Sequence, residues 1–289
     1  MTVDRPDEID LRDHVRVTPI APIPVERTAF VLAGGSTRGA GQVGMLRALS
    51  ELGIAPDLVV GTSVGAMNGT AYVADPSVEG IDDLDRVWGR ARRSQIFPIA
   101  PRAIVENVRE RRGYLFANDG IRDWIASHLR HDQLEDFPIP LHVVATEVET
   151  SRPVVLSSGD ALASLLASTA IPGVFPPVDI DGTLLYDGGV AADIPLPQAL
   201  DLGATTIYVL STLADSTPRT PTGWQLLDRV FGRPFESQEF PPSPDVTVHW
   251  LPAPVFTGNP YSFRESRRLI DEARDLTHAH LGQTAEVVG

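Results

Sequence analysis

The chain contains no cysteine, and all 24 of its basic residues are arginine, so lysine is absent as well. The first absence removes thiol nucleophiles, disulfides, thiolate metal sites and iron–sulfur clusters. The second removes every mechanism that needs an ε-amine, including Schiff-base and pyridoxal chemistry and the lysine-bearing phosphate loop. Oxygen and imidazole chemistry remain. Long apolar runs are missing too: none approaches the roughly 18 residues that a membrane-spanning helix needs. The opening residues, Met1-Thr2-Val3-Asp4-Arg5-Pro6-Asp7-Glu8, lack the apolar centre of a secretory signal. The expectation is a cytoplasmic protein with no signal peptide or transmembrane segment, in contact with membranes only peripherally. Positive charge is scarce: 24 basic against 38 acidic residues give a net −14. Such a field repels nucleic acid and gives no general attraction to anionic lipid, so lipid contact has to be local.

What is present describes a globular chain. Its 289 residues are 43% hydrophobic, with 25 prolines and 24 glycines that mark many ordered turns. Residues 1–27 show no periodicity and read as an extended arm. Thr28 to Ala33 is a short apolar run ending in Gly34-Gly35, as expected of a buried parallel strand entering a tight turn. Val43, Leu46, Leu49 and Leu52 then recur at helical spacing before Gly53. Leu58-Val59-Val60 leads through Gly61-Thr62-Ser63-Val64-Gly65 into a helix of small residues, Ala66 to Ala74. Further strand signals lie at 141–146, 154–156, 183–186, 206–210 and 246–251. Alternating strands and helices predict one α/β domain over 28–281 with a mainly parallel sheet. Within it, the arginine-rich stretch 82–131 reads as a helical cap in which Asn118 or Asp119 opens a helix. Residues 213–245 read as a surface loop region, with Trp224 to Phe231 the one helical segment in it. Ser262 and Glu265 have capping-box spacing for a last helix.

Gly61-Thr62-Ser63-Val64-Gly65 matches G-x-S-x-G, in which small flanking residues let a strand turn sharply into a helix and leave the serine hydroxyl exposed. A plain turn before a packed helix competes with that reading. The flanking strand and Ala-rich helix favour a nucleophile, because a helix N-terminus stabilises a developing anion. The loop Gly34-Gly35-Ser36-Thr37-Arg38-Gly39-Ala40-Gly41 admits three readings: an ordinary turn, a dinucleotide loop, or an oxyanion hole of backbone N–H groups. The dinucleotide version of this spacing needs a Tyr-x-x-x-Lys partner that a chain without lysine cannot supply. A serine also needs a base. None of the seven histidines sits in a turn-rich motif after a strand, whereas Asp187 ends an apolar strand in Leu184-Leu185-Tyr186-Asp187-Gly188-Gly189. A turn aspartate is the bland alternative there.

The ordered set of Gly34–Gly39, Gly61–Gly65, Ser168-Thr169-Ala170-Ile171-Pro172-Gly173-Val174-Phe175-Pro176-Pro177 and Asp187-Gly188-Gly189 resembles the patatin-like phospholipase family over about 28–212. The resemblance implies a three-layer α/β/α sandwich and a bacterial-type serine esterase acting on acyl esters of lipids or phospholipids. It further implies a Ser63–Asp187 dyad without histidine, needing no metal or cofactor. The turn Gly34, Gly35, Ser36, Thr37, Arg38, Gly39 then corresponds to the oxyanion hole. Two departures stand out. Ser36 replaces a glycine frequent in the family and is less tolerant of positive φ. Asp193 stands where asparagine is frequent, and its charge is expected to raise the pKa of Asp187 if the two lie close. Glu147 also departs from the pattern and receives no role. Two other function classes remain open at this point: an α/β-hydrolase or thioesterase using His278 or His280 as base, and a catalytically silent interaction protein that keeps the fold. The Arg86–Arg112 segment is read either as a phospholipid head-group site or as a salt-bridged helix pair, since acidic residues interleave it.

Overall fold

The computed structural model describes residues 26–96, 107, 109–110, 113–214, 245–259 and 262–288. The expected N-terminal arm up to residue 25, the middle of the arginine-rich stretch and the helical segment Trp224 to Phe231 lie outside those residues.

The described strands are β1 (Thr28–Leu32), β2 (Leu58–Thr62), β3 (Leu141–Glu147), β4 (Pro153–Leu156), β5 (Val178–Ile180), β6 (Thr183–Asp187), β7 (Thr206–Leu210) and β8 (Thr247–Leu251). They form one sheet in the order β5-β6-β3-β2-β1-β7-β8, with β4 paired to β3. The run β3-β2-β1-β7-β8 is parallel throughout. β4, β5 and β6 join in antiparallel fashion. The sheet is therefore mixed, with a parallel centre and an antiparallel corner that local sequence pattern does not announce.

The central strands explain their own position. All five residues of β2 are buried, and so are four of the five in β1; strands covered on both faces read as continuous apolar runs. Side chains alternate between the layers. Phe30, Leu32 and Val59 point into the larger core. Ala29, Val31, Leu58 and Val60 point into the smaller one, which α7 (Leu196–Asp201) covers through Leu196 and Ala199. The larger core is filled by α1 (Ala40–Glu51), α2 (Val64–Ala74), α3 (Val78–Arg90), α6 (Ala161–Ser168) and α8 (Ser266–Val288). Helices on both faces of one sheet give the α/β/α architecture.

Two local outcomes differ from the sequence reading, and the opening of a helix at Asn118 agrees with it. α3 overlaps the predicted cap but buries Ile81, Leu84 and Trp88 in the larger core, so it belongs to the helical layer. Beyond it come the short α4 (Arg93–Ile96) and α5 (Asp119–Ala126). Asn118 occupies the N-cap of α5 without a side-chain cap bond, its carbonyl accepting from Arg122 N at 2.8 Å. Ser262 caps a 3-10 turn, Phe263–Glu265, and α8 begins only at Ser266; the Glu265 carboxylate pairs with Arg268 instead of folding back on Ser262.

Candidate active site

Ser63 lies between β2 and α2 with φ 53° and ψ −123°, a left-handed conformation that a non-glycine residue holds only when its surroundings impose it. The motif glycines allow this. A Cβ on Gly65 would overlap the carbonyl oxygen of Leu32, and one on Gly61 would stand 2.7 Å from Ala66 Cα. The elbow is also braced from beneath. Ser63 N–H donates to Ser168 Oγ at 2.8 Å, and the Ser168 hydroxyl donates to Val144 O at 2.7 Å. Ser168 is fully buried at the end of α6. It opens the Ser168–Pro177 motif, yet the sequence assigns it no task.

The strand register brings Asp187 to the serine. Val144 pairs with Thr62 of β2 and with Val155 of β4, so those strands flank β3 on opposite edges. Ala145 pairs with Val154 of β4 and with Asp187 of β6, so β6 takes the edge that β2 has just left. Asp187 therefore arrives next to Thr62, one residue before the nucleophile position. Ser63 Oγ donates to Asp187 Oδ2 at 2.8 Å. The other carboxylate oxygen, Oδ1, accepts from Gly189 N at 2.8 Å. Asp187 N donates to Ala170 O at 3.0 Å, and Thr146 Oγ1 donates to Asp187 O at 3.0 Å.

Asp187 is 5% exposed, and burial is the main reason its pKa is pushed up to about 7. The Gly189 N–H and the Ser63 hydroxyl pull it back, while the charge of Asp193 raises it further. Asp193 is close for a steric reason as well. A Cβ on Gly34 would overlap its Oδ1, and one on Gly189 would meet the same atom at 3.3 Å. The second carboxylate thus sits between the glycine-rich loop and the aspartate turn.

The glycine-rich loop passes directly beside the serine: a Cβ on Gly34 would lie 3.6 Å from Ser63 Cβ. Gly35 has φ 151° and Ser36 φ 55°, so the serine does adopt the positive φ that a third glycine would have made easier. Thr212 fixes the turn, donating through Oγ1 to Gly34 O and packing where a Gly35 Cβ would be. Two of the amides are turned inward. Gly34 N–H donates to Asp193 O at 2.8 Å, and Arg38 N–H to Gly35 O at 3.3 Å. Of the N–H groups expected over Gly34–Gly39 as donors, these two are already engaged inside the protein.

The alternative bases are engaged elsewhere. His278 Nε2 is 2.6 Å from Glu51 Oε2, at the end of α1 remote from the loop; eleven residues of helix from Ala40 correspond to about 16 Å. His280 lies near His249, whose pKa is lowered mainly by burial and also by His280. The acidic residues at the start of the arginine-rich stretch, Asp82, Asp83 and Asp85, make ion pairs. Asp83 binds Arg86 and Arg130, and Asp85 binds Arg47 and Arg267. Glu147 is the last residue of β3, its carboxylate accepting from Thr150 Oγ1 in the turn that follows. Among the described residues no cluster of three or more His, Asp or Glu side chains could hold a metal ion.

Comparison with known proteins gives the family of the chain. A family model described as patatin-like phospholipase matches residues 30–200. The chain is 32% identical over 226 residues to lysophospholipase nte1 of Aspergillus terreus, covering 74% of this chain and 14% of that protein. It is 30% identical over 207 residues to patatin-like phospholipase domain-containing protein 7 of Rattus norvegicus, covering 69% and 15%. The chain thus spans about one-seventh of the length of these relatives. In fold it is similar to VipD from Legionella pneumophila, with a TM-score of 0.50 and 16% identity over 90% of this chain and 67% of that one. With its elbow serine, strand-end aspartate and glycine-rich loop in one place, and with more than half its length matched by the family model, the chain belongs to the patatin-like phospholipase family.

Proposed function

We propose that the protein hydrolyses acyl esters of lipids, lysophospholipids among them, through a Ser63–Asp187 dyad. The observation that carries this reading is the 2.8 Å hydrogen bond from Ser63 Oγ to a carboxylate oxygen of a buried Asp187. Asp187 takes the hydroxyl proton as Ser63 Oγ attacks the ester carbonyl. The turn around Gly35 stabilises the negative oxygen of the tetrahedral intermediate, helped by the N-terminus of α2. Asp187 then returns the proton to the departing alcohol or glycerophosphate fragment, leaving an acyl ester on Ser63. A water molecule, deprotonated by the same carboxylate, attacks that ester, and collapse of the second tetrahedral intermediate releases the fatty acid while Asp187 gives the proton back to Ser63 Oγ. No step needs a metal ion or a histidine, and the engagement of His278 with Glu51 supports the dyad over the histidine alternative.

The test is covalent labelling with a serine-directed alkyl phosphonate, combined with lysophospholipid hydrolysis. Wild-type protein should be labelled once per chain and hydrolyse the substrate; Ser63→Ala should do neither. Asp187→Asn should lose at least about a hundredfold in kcat, as removal of a general base does. Full activity in Asp187→Asn, or labelling that survives Ser63→Ala, would exclude the dyad.

A further inference from the structure

Behind the glycine-rich loop, side chains from three helices form one unbroken hydrogen-bonded chain. Trp88 Nε1 of α3 donates to Asn68 Oδ1 of α2 at 2.9 Å. Asn68 Nδ2 donates to Gln42 Oε1 of α1 at 2.8 Å and to Gly39 O at 2.9 Å. Gln42 Nε2 donates to Ala33 O at 2.8 Å and to Leu210 O at 3.0 Å. All three side chains are buried, Gln42 completely.

The chain has a direction that is chemically forced. An indole N–H can only donate, so Asn68 must present its oxygen to Trp88 and its nitrogen to Gln42. Gln42 must then accept with oxygen and donate both of its N–H groups to main-chain carbonyls. Reversing either amide would set oxygen against oxygen or N–H against N–H. The carbonyls reached are well placed. Ala33 and Gly39 bracket the loop that carries Gly34 to Arg38, and Leu210 ends the strand that leads to Thr212, the residue holding Gly34 O. Nothing in α1, α2 or α3 as helices requires buried amides at these positions; their common destination is the loop.

We infer that Trp88, Asn68 and Gln42 are positioning residues that hold both ends of the oxyanion loop and transmit the position of α3 to it. The inference rests on the hydrolase reading for its effect on rate, but its structural half does not. α3 carries the first residues of the arginine-rich stretch, Arg86 and Arg90 among them. The Trp88 N–H is thus a direct hydrogen-bonded link from that helix toward the loop beside Ser63, distinct from the ion pairs of Asp82 and Asp85 with Arg47. A loop displaced by a fraction of an ångström misaligns its N–H groups with the developing oxyanion while leaving the dyad bond intact.

The experiment uses Trp88→Phe, which removes the N–H donor with some loss of ring volume but keeps an aromatic ring against Phe263, and Asn68→Asp, which keeps size but puts an acceptor oxygen where the N–H donor toward Gln42 was. Each is measured for kcat and KM on a soluble lysophospholipid and for peptide-level amide hydrogen exchange over 33–41 and 58–62. Trp88→Phe should lower kcat about tenfold, with KM within about twofold and the pH midpoint of the rate unmoved. Exchange over 33–41 should quicken while that over β2 stays as in wild type. Should Asn68→Asp fail to fold, Trp88→Phe carries the test alone. Wild-type kcat in a folded Trp88→Phe overturns the inference. So does a fall in kcat with unchanged exchange over 33–41, since the effect would then bypass the loop. A wild-type protein that hydrolyses nothing would instead overturn the hydrolase reading, and exchange over 33–41 would still decide whether these residues hold the loop.

Discussion

In the proposed dyad Asp187 accepts a proton from the Ser63 hydroxyl, to which it is hydrogen-bonded, while buried where its own charge is poorly solvated. Its pKa of about 7 reconciles the two demands, since a base works best when its pKa lies near the working pH. Only the ionised form is a base, so kcat/KM should rise with pH through about 7, the value at pH 6 being about one-tenth of the plateau. Asp193 contributes to that raised pKa by its charge. Asp193→Asn should therefore move the rising limb to lower pH; a pH–rate profile that moves upward, or does not move, would contradict the close approach of the two carboxylates. The same shift has a cost in stability. The folded pKa lies above the ordinary 3.8, so the contribution of this group is complete below about pH 4 and is lost as pH rises through about 7. The interval corresponds to on the order of 4 kcal/mol. Asp187→Asn keeps an acceptor for Gly189 N–H and offers a donor to Ser63 Oγ. It should be inactive yet melt several degrees above wild type at pH 8, with the difference vanishing near pH 4.

The elements differ in how much of their role is local. The elbow, the glycine-rich loop and the Asp187 turn are each built from consecutive residues, so their local form is legible from sequence, as are the apolar parallel strands that lead into them. The antiparallel corner is not, because β5 is only three residues of Val178–Ile180 and pairing direction leaves no mark on composition. Ser168, Gln42 and Asn68 are polar residues at or within helices, where sequence suggests solvent. Their burial is decided by partners far along the chain, 105 residues away for the Ser168–Ser63 bond. Trp88 was hidden for a related reason: arginines around it suggested a surface cap, while its ring faces the core. These differences set expectations for substitution. Ser168→Ala leaves Ser63 N–H and Val144 O without their partner and should cost about 1–3 kcal/mol, together with a lower kcat as the elbow loosens. Gly65→Ala forces a methyl into Leu32 O and should prevent folding or destabilise by several kcal/mol. Gly89→Ala, in an exposed turn of α3 with open space around it, should stabilise by about 0.5–1 kcal/mol. Thermal melts of the three variants separate a glycine required by close approach from one that is merely present.

At the scale of the whole molecule, charge sets the terms on which the proposed lipid substrate is reached. The net −14 opposes approach to an anionic bilayer, and no helix among the described residues is long and apolar enough to cross one. Arg47, Arg86, Arg130, Arg267, Arg268 and Arg274 are each paired with carboxylates, so these guanidinium groups add little free positive field. Repulsion between like-charged surfaces weakens as salt shortens the Debye length from about 30 Å at 0.01 M to about 8 Å at 0.15 M. Association with vesicles rich in phosphatidylserine should therefore strengthen as salt rises over that range. Association with purely zwitterionic vesicles should change little. Sedimentation of both vesicle types with the protein distinguishes this from attraction by a basic face, for which binding to the anionic vesicles would fall with added salt. Hydrolysis measured in parallel should follow the bound fraction and should persist in excess chelator, because the proposed dyad and amide turn supply the base and the oxyanion donors without an ion.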